Sequence, residues 1–74
     1  MEPKPNMARR LFVVLAPFTA IHVETGNRRI LKADETLFAE PPARSTGVVL
    51  FEQDGEEFQV ETATFIASTA LAKP

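Results

Sequence analysis

The sequence predicts an all-β, mainly antiparallel domain. Two observations carry that prediction. Residues Gly47 to Glu61 read as two strands closed by Asp54-Gly55, and an Asp-Gly pair supplies the positive φ angles that a two-residue primed turn requires. The rest of the chain is a series of short runs of Val, Ile, Leu, Phe and Thr, broken by Pro, Gly, Asn and Asp. That is the punctuation of strands and tight turns.

The elements follow in chain order. Residues 1–8 carry two prolines and polar side chains and are expected as a disordered tail. Residues 9–16 open with Arg9-Arg10 and continue as a β-branched and aromatic run with little alternation, the pattern of a strand buried on both faces or bending across a barrel. Pro17 has no N–H to give to a ladder, so it marks a bulge, an edge or a corner. Phe18 to Val23 resume extended structure, Thr25-Gly26-Asn27 is a turn, and Arg28 to Lys32 return as a hairpin partner. Ala33-Asp34-Glu35 is a polar break, and Thr36 to Ala39 form a short strand. Glu40 to Thr46 form a loop, because the adjacent Pro41 and Pro42 stop both helix and central strand.

The Asp-Gly turn sets the register of the hairpin after it. Gln53 pairs with Glu56, Phe51 faces Phe58, and Val49 faces Val60, which makes that face apolar away from the turn and directs it to the core. The other face pairs Leu50 with Gln59 and Glu52 with Glu57. Directly opposed like charges are mildly unfavourable, so that face is expected to be wet. A slip of one residue would bury the charges, so the register is well specified.

The end of the domain reads two ways. Thr62 or Thr64 can cap a short helix over Phe65 to Leu71, with Phe65, Ile66 and Thr69 on one side. Alternatively Thr62 to Thr64 make a 3₁₀ turn and Phe65 to Thr69 make a last strand. The β-branched content favours the turn and strand. Residues 72–74 are expected as a tail, leaving one domain over 9–71. About five short strands, tight turns and a final short turn or helix resemble an SH3-like small β-barrel. That resemblance is one of fold and implies a small antiparallel barrel. Tyr and Trp are absent, so the aromatic row that SH3 domains offer to proline-rich peptides has no counterpart. The fold serves binders of peptide, RNA and DNA alike, so it implies no single function.

Composition narrows the classes. The chain has 74 residues, one domain's length, and a domain of this size buries only about 60% of the surface its unfolded chain exposes. It has no cysteine, which excludes disulfides and thiolate metal ligands and fits a reducing, cytoplasmic setting. The longest apolar run, Leu11 to Phe18, falls far short of the ~20 residues that span a membrane, so no membrane partner is expected. Arg9-Arg10 before that run look like the start of a signal peptide, but Pro17 and Phe18 spoil both cleavage positions.

The formal net charge is −2, which argues against a dedicated nucleic-acid binder. Most cations stand early: Lys4, Arg9, Arg10, Arg28, Arg29, Lys32 and Arg44 precede Ser45, and only Lys73 follows it. The acids of the second half are Glu52, Asp54, Glu56, Glu57 and Glu61. The expectation is two strand groups that attract each other.

Chemistry-bearing motifs are few. His22 is the only histidine, without a visible partner, and reads as a strand residue on the solvent side of Phe18-Ala20 or as a satisfied, partly buried side chain. The acids around Asp54-Gly55 lack calcium-loop spacing and read as a solvated turn. No glycine spacing cradles a phosphate, and neither Ser45 nor Ser68 sits in a nucleophile setting. No catalytic site, cofactor or metal is expected. The candidate binding surface is Arg9, Arg10, Arg28, Arg29, Lys32 and Arg44, although alternation on residues 28–32 turns Arg28 and Lys32 to one side and Arg29 to the other. The expected function is a non-enzymatic module that binds a protein partner or itself, as a homodimer, with contacts from Phe12, Phe18, Phe38 and the Pro41-Pro42 loop. The alternative is an accessory nucleic-acid-binding domain using the arginine surface.

Overall fold

A computed structural model describes residues 9–72. The expected N-terminal tail, and the C-terminal tail beyond Ala72, lie outside the described residues. The elements are β1 (Arg10–Val14), β2 (Phe18–His22), β3 (Arg28–Leu31), β4 (Thr36–Ala39), β5 (Val48–Gln53), β6 (Glu56–Glu61), α1 (Thr62–Ser68) and β7 (Thr69–Leu71). The strands form one antiparallel sheet in the order β3-β2-β6-β5-β4-β1-β7. It curls into a half-barrel. The described residues thus form seven strands where about five were expected. The difference arises at Pro17 and at the end of the chain. The corner at Leu15 to Pro17 sends β2 four places across the sheet from β1, and the terminal segment adds β7 beside β1.

The β5–β6 hairpin has the register read from the sequence: Val49 faces Val60, Phe51 faces Phe58 and Gln53 faces Glu56. Asp54 and Gly55 both hold positive φ, 56° and 79°, as a type I′ turn requires. A Cβ at Gly55 would meet nothing within 4 Å, so the cost of any side chain there is conformational. Gly55→Val is expected to lower stability by about 1–2 kcal/mol, while Gly55→Asn keeps most of it because Asn tolerates this region. Urea midpoints of the two variants check the difference. Equal midpoints would remove the turn geometry from the account.

The concave face holds the core. Val14, Leu31, Leu37, Phe51, Phe58 and Phe65 are almost wholly buried. The Phe51 and Phe58 rings stack with centroids 5.5 Å apart. Phe12 and Phe18, expected as partner contacts, are core residues instead. Alternation places both on the concave side, where they meet Phe65 at 4.9 Å and Phe51 at 6.2 Å, edge to face.

The terminal segment departs from the favoured reading. It is a helix over Thr62–Ser68 and then a strand over Thr69–Leu71. Thr62, Phe65 and Ser68 are its buried residues, a three-residue spacing that turns one helical face to the core and leaves Ile66 exposed. Burial of Phe65 overrides the β propensity of the Thr-rich run. Neither threonine caps the helix. Glu61 occupies the N-cap without a side-chain bond, and the Thr62 amide donates to the Gly47 carbonyl at 2.9 Å. At the other end the Thr69 hydroxyl donates to the Phe65 carbonyl at 2.7 Å. The Leu15 amide donates to the Ser68 carbonyl at 2.7 Å, tying helix to corner.

Candidate protein-interaction surface

Strand alternation sorts the polar residues into two groups. On the convex face, Leu11, Phe38, Leu50, Glu52, Glu57 and Gln59 project outward, and the concave partners of each are core. Glu52 and Glu57 face each other across β5 and β6 as expected. Their repulsion is relieved by Arg9, whose guanidinium donates to Glu52 at 3.4 Å and, in a shorter bond, to Glu57. The bond to Glu57 raises the Arg9 pKa above its ordinary value, against the opposing effect of burial, so this charge is permanent. Both carboxylates are well exposed, so each pair contributes about 1 kcal/mol or less. Its importance is geometric: one early cation is fixed over the acidic hairpin.

The second group lies at the concave rim. Arg29 stands over the Phe58 ring, 4.7 Å from its centroid, and donates to Gln53 Oε1 at 2.9 Å and Asp54 Oδ2 at 3.2 Å. Glu56 lies within 3.8 Å of it. His22 belongs to this rim and not to the solvent side of β2. Its ring meets Phe58 edge-on at 5.1 Å. Nδ1 accepts from the amides of Glu24 and Thr25 at 3.1 and 3.2 Å, and Nε2 lies 3.4 Å from Glu56. Two amides on Nδ1 require its lone pair, so the proton sits on Nε2, facing the carboxylate. The ring is a satisfied turn cap.

Gln53 is the residue that pattern reading misses. It is buried, accepts from Arg29, and donates to Glu35 Oε1 at 2.9 Å and the Thr36 carbonyl at 3.1 Å. It joins β3, β4 and β5 at one point. Its position on the core face beside the turn was the available signal. Its partners come from distant parts of the chain, so the role was not legible.

The six candidate cations do not share one face. Arg9 and Arg29 are engaged by acids. Arg10 is exposed at the start of β1. Arg44 is exposed in the 40–46 loop and shares with Arg9 a groove of about 470 Å³. Arg28 and Lys32 are exposed at the far boundary of the sheet, where β3 is separated from β1 by four strands. What the fold does gather is apolar. Leu11 lies directly opposite Phe38, and both are exposed, at 38% and 49%. Phe38 faces Glu52, which places Leu50 on its diagonal. Leu50 and Val48 then continue into the groove beneath Pro41 and Pro42.

Comparison with protein-family models, with curated proteins and with solved structures finds no match. No group of His, Asp and Glu side chains among the described residues is arranged to hold a metal ion. No helix among them is long and apolar enough to cross a membrane.

Proposed function

We propose that this protein is a non-enzymatic interaction module, an SH3-like small barrel in kind, that contacts another protein surface through the convex face of its sheet. A second copy of the chain is the simplest occupant. One observation carries this reading: the exposed band Leu11–Phe38–Leu50–Val48, continuous with the Pro41-Pro42 groove. Contiguous apolar surface of this kind marks an interaction site, whereas singly scattered hydrophobics do not. The band is bordered by both signs of charge, Arg9 and Arg44 with Glu40 and Glu52, which suits a face that meets its own copy across a two-fold axis. The absence of cysteine supports a cytoplasmic setting as part of the same proposal.

Light scattering coupled to size exclusion, at low and high protein concentration, tests it. The expected result is a mass that rises with concentration in the wild type and stays at the monomer value in Phe38→Glu. A strict monomer, together with salt-dependent binding of a labelled oligonucleotide, would replace this reading with the nucleic-acid one.

A further inference from the structure

The sheet has two boundaries, and they differ. At β3, the His22 amide donates to the Asn27 carbonyl at 2.7 Å, and Ile21 to Phe18 pair with Arg28 to Leu31 in order. Alternation along that ladder turns the amides and carbonyls of Arg29 and Leu31 toward β2, and those of Arg28 and Ile30 away from it. At β7, the Thr69 amide is already engaged by the Phe65 carbonyl. That boundary offers little beyond Leu71.

Side chains sharpen the contrast. Arg28, Ile30 and Lys32 share one side of β3 and are all exposed, Ile30 at 62%. Neither Arg28 nor Lys32 joins an ion pair among the described residues. Among the described residues, an unpaired edge therefore carries an apolar residue between two uncommitted cations. A second copy does not fit it. Antiparallel pairing of two such edges sets either Arg29 against Arg29 or Arg28 against Lys32, and opposed like charges are destabilising.

We propose that the β3 edge takes up an extended acidic segment of a partner protein by strand addition. Backbone bonds form at Arg28 and Ile30, carboxylates on the added strand face Arg28 and Lys32, and an apolar side chain lies against Ile30. The proposal rests on the interaction-module reading and names a partner chemistry for a surface distinct from the convex band. Main-chain bonds supply affinity in this mode, and the alternate side chains supply selectivity.

The test is a titration of the ¹⁵N-labelled full chain with two synthetic peptides, Ser-Glu-Thr-Val-Thr-Glu-Ser and its counterpart with Lys in place of Glu. The expected result is amide shifts centred on Arg28 and Ile30, and binding of the acidic peptide about tenfold tighter than the basic one. The double variant Arg28→Glu, Lys32→Glu should invert that preference. Ile30→Pro removes an outward amide without touching the β2 ladder and should abolish binding of both peptides. Equal affinity for the two peptides, no binding, or shifts confined to Leu11, Phe38 and Leu50 would overturn the proposal. So would shifts at Arg28 given by an oligonucleotide with the acidic peptide inert. If the peptide fails while the mass still rises with concentration, only the edge assignment falls. If the acidic peptide binds a strict monomer, the edge assignment stands and the convex band loses its role.

Discussion

Phe58→Ala is expected to leave this domain largely unfolded at room temperature. Phe58 is almost wholly buried. It stacks on Phe51, receives the edge of His22, and lies under the Arg29 guanidinium. Truncating a buried Phe to Ala costs about 3–5 kcal/mol. A core in a chain of this size supplies about 3–5 kcal/mol in total. With no disulfide to stiffen the chain, nothing offsets the loss. Phe58→Leu keeps most of the volume and should remain folded with a lowered midpoint. Circular dichroism melts and amide dispersion in proton spectra read the outcome. A Phe58→Ala domain with the wild-type midpoint would mean that the half-barrel is not held by this aromatic stack.

Gln53→Leu is expected to cost about 1–3 kcal/mol, with the side chain's volume nearly conserved. The loss comes from the partners. Arg29 loses an acceptor at 2.9 Å, Glu35 loses a donor at 2.9 Å, and the Thr36 carbonyl loses its bond at 3.1 Å. The three bonds are part-buried and Arg29 keeps Asp54 at 3.2 Å, so the loss belongs at the lower end of that range. Gln59→Leu on the convex face is the comparison. Its side chain makes no bond among those resolved between described residues, so its midpoint should move by no more than about 0.5 kcal/mol. Equal denaturation midpoints for the two variants would show that Gln53 is a filler of space and not a junction of three strands.

These two residues also mark the limit of sequence reading. Phe58 was legible because its role is local: the Asp54-Gly55 turn sets the register, and the register sets Phe51 against Phe58. Gln53 stands one step nearer the same turn, yet its role depends on Arg29 and Glu35, which reach it only after the chain has crossed the sheet. The terminal segment, which reads as either helix or turn and strand, stays undecided in the sequence for a related reason. A seven-residue run of Thr, Ala, Phe, Ile and Ser has no strong intrinsic preference, and the pull of Phe65 into the core decides for helix. Phe12 and Phe18 could not be separated from Phe38 by composition. Only the facing of each strand shows that two are core and one is surface.

The all-β class, the β5–β6 hairpin with its inward and outward faces, the short strand Thr36–Ala39 and a break at Pro17 were all legible from residues alone. So was the attraction between early cations and late acids. These properties follow from turn dihedrals, period-two alternation and charge, each of which acts over a few neighbours or needs no geometry at all. The strand order, the two networks around Arg9 and Arg29, the convex apolar band and the β3 edge, unpaired among the described residues, emerge only in three dimensions. Each depends on which strands become neighbours. That choice is made by the joint burial, among the described residues, of twelve core side chains from β1 to β6 and α1, and no local pattern encodes it.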